Sequence, residues 1–159
     1  MKNRKPTKAG TFQVIENWEL ISIRRSTGEV MDKRVICNAI VNDGLERMAD
    51  LLINNSTPAY FRALAVGTGT TAVTNSDTAL QTEFQRETAT LSKDSVYVAK
   101  FYKEFDFASG TDEDITEAGI FDSATASGST MLARNVFSAI AVDADTNLKV
   151  TATITVARV

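Results

Sequence analysis

The sequence contains no histidine, and its only thiol is Cys37. The first absence removes histidine general bases, Ser-His-Asp and Cys-His pairs, and histidine-ligated zinc. The second removes any intrachain disulfide, so durability must come from packing or from association with other chains. Carboxylate, lysine and tyrosine chemistry stay formally open, but the expectation is a protein that is not an enzyme and holds no metal or cofactor. Two prolines and eight glycines are too few for a collagen-like shaft or a disordered linker. Long apolar runs are missing as well: Phe12 to Ile23 is broken by Gln13, Glu16, Asn17 and Glu19, so neither a signal peptide nor a membrane span is expected.

What is present is a chain of 159 residues, 43% apolar and 23% charged, in the range where one domain can bury a core of its own. Charge is unevenly spread. Lys2, Arg4, Lys5 and Lys8 give residues 1–11 four positive charges and no acid, so residues 12–159 carry −7 of the total −3. The expected organisation is a basic extended arm, 1–11, followed by a single β-rich domain, 12–159. The arm is too short and polar to fold alone, so it either frays or lies along a partner. A body this acidic repels phosphate, and no specific nucleic-acid partner is expected.

Periodicity then predicts mainly β structure. Phe12, Val14, Trp18 and Leu20 fall on even positions and Ile15, Ile21 and Ile23 on odd ones, an extended segment with a bend near Glu16-Asn17. Ser26-Thr27-Gly28 signals a turn, and Glu29 to Val41 completes a hairpin. Asp43 followed by Glu46 matches a capping box, opening an amphipathic helix over about 43–54 whose apolar face is Leu45, Met48, Ala49 and Leu52. Gly44, in its first turn, suggests a close approach of helix and sheet. Phe61 to Val66 reads as a strand ended by Gly67-Thr68-Gly69-Thr70, and Asn75 to Arg86 as a loop with one helical turn from Asp77, on which Glu83 and Arg86 face each other. Tyr97, Ala99, Phe101, Phe105 and Phe107 share one face of a long strand. Met131–Val142 and Leu148–Ala157 are expected to form an antiparallel hairpin across the turn at 143–147. The fold class is therefore an antiparallel β-sandwich or barrel-like domain with one short helix and an extended arm.

Few side chains suggest chemistry. Cys37 lies in the apolar stretch Val35–Ile40 and reads as a small buried residue. Asp112-Glu113-Asp114-Ile115-Thr116-Glu117 lacks the spacing of a calcium loop and reads as an exposed acidic loop. Glu117 differs from its neighbours because Ala118-Gly119-Ile120-Phe121 follows it, and an acid there requires a partner: Arg86 or Arg134.

Several segments together resemble a group of small structural proteins of tailed bacteriophages. They are Asn38-Ala39-Ile40 with Gly44 and Met48–Leu52, Leu64–Thr70, Asp77-Thr78-Ala79-Leu80 leading to Glu83 and Arg86, Ile115–Phe121, and Met131–Arg134 with Phe137. The resemblance implies a virion protein, most simply a capsid decoration or cement protein: a compact homotrimer on the phage head, assembled in the host cytoplasm. Its partners would be the major capsid protein and copies of itself, with no membrane. A tail, baseplate or head-fibre adaptor is the alternative, and a carbohydrate-binding module a more distant one. In the cement reading the arm residues Lys2, Arg4, Lys5 and Lys8, with Phe12, Val14 and Trp18 as anchors, contact the capsid or a neighbouring subunit.

Overall fold

The computed structural model describes residues 12–37, 40–55 and 59–158. The basic arm, with Lys2, Arg4, Lys5 and Lys8, lies outside the described residues. Nine strands and one helix follow in the order β1 (Phe12–Arg24), β2 (Val30–Ile36), α1 (Asn42–Ile53), β3 (Ala63–Gly67), β4 (Glu83–Thr88), β5 (Thr90–Ser95), β6 (Val98–Asp106), β7 (Asp112–Phe121), β8 (Met131–Asp143) and β9 (Thr146–Arg158). They form two antiparallel sheets, β2-β1-β9-β6-β5 and β4-β3-β7-β8. The mainly β, sandwich-like class read from the sequence is what the chain adopts.

Alternation decides which residues lie between the sheets. Trp18 and Leu20 of β1, Phe101 and Phe105 of β6, and Leu148, Val150 and Ala152 of β9 meet Leu64, Val66, Ile115, Ala118, Ile120, Phe137 and Ile140 of the second sheet in one buried cluster. The second sheet is also covered behind, where Val41, Ala63, Ala65, Leu80, Phe121 and Met131 form a smaller core. Leu80, from residues 68–82, and Val41, which precedes α1, supply the cover on that side. A sheet covered on both faces reads as a nearly continuous apolar run, as in Ala63–Gly67, which is buried throughout.

Several expectations change at this level. β1 has no bend at Glu16-Asn17; it pairs with β9 without interruption from Phe12↔Arg158 to Arg24↔Thr146. β8 and β9 are not a hairpin, because β8 pairs with β7 while β9 lies between β1 and β6, and the turn between them crosses from one sheet to the other. Residues 77–82 make no helical turn, and Glu83 and Arg86 sit in strand β4. The acidic segment from Asp112 is the start of β7 rather than a loop, though Asp112, Glu113 and Asp114 are exposed as expected.

α1 forms where the sequence placed it but is anchored differently. Its N-cap is Val41, in extended conformation with no side-chain cap, so the Asp43–Glu46 capping box is not made. Asn54, in the left-handed region with φ of 52°, ends the helix, and its short polar side chain tolerates that conformation. The helix rotates relative to the expected face: Gly44 is buried and Met48 touches the main core, while Leu45, Ala49 and Leu52 are exposed. The cause is contact at Gly44, where an added methyl would fall on the Leu132 carbonyl oxygen and 2.8 Å from its Cα.

Candidate functional site

The most organised polar cluster in the molecule surrounds Glu117. The side chain is wholly buried on the outer face of the second sheet, where β7 runs beside β3 with Glu117 opposite Gly67. Arg134, on neighbouring β8, donates its Nε to Glu117 Oε2 at 2.8 Å, and its Nη2 lies at the same distance. Three backbone amides from residues 68–82 complete the shell: Gly69 N at 3.1 Å and Thr82 N at 2.7 Å to Oε1, and Gln81 N at 3.0 Å to Oε2. A carboxylate with this many donors is satisfied without water, which is the condition for burying it.

Arg134 extends the cluster outward, its Nη1 meeting Asp77 Oδ2 at 2.8 Å. Asp77 in turn holds Thr74, accepting from its amide at 3.1 Å and from its hydroxyl at 2.6 Å. Burial alone would raise the Asp77 carboxyl, but the Thr74 hydroxyl and the Arg134 guanidinium outweigh it and hold it below the usual carboxylate range. Arg134 is likewise pulled two ways, lowered by burial and raised overall by its two carboxylates. The segment 68–82 is thus strapped to the sheet along much of its length, helped by Thr116 Oγ1 donating to Gly69 O at 2.9 Å and by Gln81 Oε1 accepting from Thr71 N at 2.8 Å.

The glycines of Gly67-Thr68-Gly69-Thr70 have a steric role here. A Cβ at Gly67 would lie 2.7 Å from Glu117 Oε1, and one at Gly69 would lie 2.6 Å from Gln81 Cβ and collide with that same carboxylate. Only a backbone without side chains lets the amide of Gly69 reach the acid.

Arg86 does not pair with Glu117. It closes a second polar contact, binding Glu83 through Nη2 at 2.5 Å and Ser129 Oγ through Nη1 at 2.7 Å, with its guanidinium carbon 3.5 Å above the centre of the Phe121 ring. The Glu83–Arg86 pair therefore exists, on a strand rather than a helical turn.

Of the expected surface anchors, Phe12 is 66% exposed and Val14 is partly buried against the core. Trp18 is 1% exposed and belongs to the core, so it is no surface anchor. Its indole Nε1 donates to Glu16 Oε1, an acid that alternation places on the same inward face. Glu16 is 2% exposed; Asn135 Nδ2 lies 3.3 Å from its Oε1, and its Oε2 has no hydrogen-bond partner among the described residues. Burial pushes this carboxyl up to about 7, against the smaller lowering effect of the Trp18 indole. Cys37 is exposed rather than buried, with its Sγ 3.0 Å from Asn17 Oδ1. Its apolar neighbours mislead because β2 is an edge strand with Val35 66% exposed.

No three His, Cys, Asp or Glu side chains among the described residues are grouped to hold a metal ion, and no described helix is long and apolar enough to cross a membrane. The aromatic residues Phe101, Phe105, Phe107, Phe121 and Phe137 are all buried, as their alternation indicated. No family model matches the sequence, and no curated protein and no solved structure is significantly similar to it.

Proposed function

We propose that this chain is a non-enzymatic structural protein of a tailed-phage particle, most simply a capsid decoration protein that stabilises the shell by bridging its subunits. The observation that carries this reading is the convergence of the resembling segments. Gly67, Gly69, Asp77, Glu117 and Arg134 come from four separate stretches quoted for the resemblance, and all meet within one brace around Glu117. That common location is what supports the reading. The mechanism is adhesion: a braced frame offers apolar side chains and a basic arm to neighbouring subunits, and the free energy lies in buried contact area, roughly 800 Å² per partner for a stable association.

Phe12 and Val14 are the anchors in this scheme, with Lys2, Arg4, Lys5 and Lys8 supplying electrostatic attraction. The test is binding to undecorated capsids with quantified copies per particle. Decoration predicts hundreds of copies and a sharp loss of attachment when residues 1–11 are deleted, with the circular dichroism spectrum unchanged. A dozen copies or fewer would move the protein to the tail or baseplate. A glycan-array signal abolished by Tyr60→Ala would instead favour carbohydrate binding, since Tyr60 is 58% exposed.

A further inference from the structure

The inner face of the first sheet loses its cover at one end. Along β1 the inward positions run from Glu16 at 2% exposed, through the partly buried Val14, to Phe12 at 66%. Along β9 they run from Ile154 at 7% to Val156 at 42%. The β5–β6 connection adds Val96 and Tyr97 at 69% and 68% beside them. Behind this ledge opens an apolar cleft of about 490 Å³, reaching Met48 of α1, Phe61, Phe101 and Leu132. Tyr97, Val98 and Val156 border both this cleft and the adjoining hollow that contains Phe12. An exposed phenyl ring and an apolar hole therefore lie side by side on one face.

We infer that this face binds a second copy of the same chain, with Phe12 of one copy seated in the cleft of the other. The inference rests on the structural role proposed above and names the surface through which copies associate. Two observations select a second copy as the occupant. The residues lining the cleft and the hollow include no acid, and their only charged members are Lys93 and Arg158, so acidic bodies can approach there without mutual repulsion. The eleven residues that precede Phe12 in sequence carry four positive charges, and the body of the chain carries −7. A second copy docked through Phe12 therefore brings its basic segment to a body of opposite net charge. Apolar contact at the centre, with opposite net charges on the two segments brought together, suits a stable interface.

Sedimentation velocity on the full chain, from low micromolar concentrations upward and at low and high salt, tests this directly. The expected result is a reversible oligomer of the 17.3 kDa chain, weakened by salt. Phe12→Ala should weaken association by at least about tenfold, and Val96→Asp should abolish it, both with unchanged circular dichroism. In a Cys37→Ser background, mixing a Phe12→Cys protein with a Met48→Cys protein should give a disulfide-linked pair containing one of each. A wild-type monomer at every concentration overturns the inference, as does an oligomer indifferent to both substitutions. Capsid binding by the Val96→Asp monomer separates the two proposals: an oligomer that ignores capsids sinks the cement reading alone. A monomer whose capsid binding is lost in Val96→Asp assigns the face to the capsid and sinks this inference alone.

Discussion

Replacing Glu117 by alanine is the sharpest test of the brace. The substitution removes the acceptor for Arg134 Nε and for the amides of Gly69, Gln81 and Thr82 at once. Arg134, 2% exposed, keeps Asp77 as its remaining carboxylate. Breaking a buried pair from one side costs about 3–5 kcal/mol, and each newly unpaired buried amide adds about 1–3 kcal/mol unless water reaches it. The Gln81 and Thr82 contacts are only partly buried, so water recovers most of their loss; the pair and the buried Gly69 amide together set the expected total at about 4–8 kcal/mol. That is a large share of the roughly 5–15 kcal/mol that holds a domain together. Glu117→Gln keeps an oxygen for some of the amides and should cost about half as much.

Urea unfolding supplies the measurement, read as a lower midpoint at unchanged slope. Hydrogen exchange adds location: the amides of Gly69, Gln81 and Thr82 should lose protection before the core strands do, because the strap opens first. In a double-mutant cycle with Arg134→Met, the combined loss should be well below the sum of the single losses, since each single change leaves a charge behind. A loss under about 1 kcal/mol in Glu117→Ala, or strict additivity with Arg134→Met, would show that the carboxylate is not the keystone.

Three further outcomes follow from other sites. Glu16 has its carboxyl raised from 4.5 to about 7, so the fold favours the neutral form: its contribution is complete below pH 4.5 and is lost as pH rises through about 7. The total is about 3 kcal/mol, and the difference in urea stability between wild type and Glu16→Gln should show that slope; a flat difference refutes it. Gly44→Ala should destabilise by about 1–3 kcal/mol despite alanine's better helix propensity, because the methyl meets the Leu132 backbone; a gain in melting temperature would contradict the contact. Cys37, being exposed, should react with a thiol reagent in the native protein as fast as in urea, and a protected thiol would contradict its placement.

Strands were legible because alternation is a local property; their partners were not. Ile140 and Val142 of β8 and Leu148 and Val150 of β9 all point into one core, as they must in either arrangement. A hairpin would put them side by side in one sheet, and the observed crossover stacks them from opposite sheets. The apolar pattern is identical in both cases, so the sequence alone could not choose. β5 is invisible for another reason: all six of its residues are exposed, and it exists by hydrogen bonding along the edge of β6. Glu117 announced itself as an acid within a buried strand, and Arg134 was one of its two expected partners. Asp77 and the three amides were not foreseeable, because they arrive from a segment whose path depends on two glycines lacking side chains. The signal for Glu16 was present but misread: alternation with Trp18 points it inward, and its charge suggested a bend instead.

The positions of these polar groups separate what the resembling segments specify from what binding requires. A buried ion pair is a poor source of net stability compared with apolar residues of the same size, because desolvating the charges consumes most of their attraction. Its advantage lies in selecting one arrangement: Glu117 accepts from amides of one strap in one register, and a strap displaced by a residue would leave both acid and amides unpaired. The brace lies behind the second sheet, whereas Phe12 and Val156 lie at an open end of the first, beside the apolar cleft between the sheets. Substitutions at Gly67, Gly69, Glu117 or Arg134 should therefore act on folding, and substitutions at Phe12, Val96 or Val156 on association. A chain could keep the first group unchanged, retain the same frame, and join different partners by altering only the second.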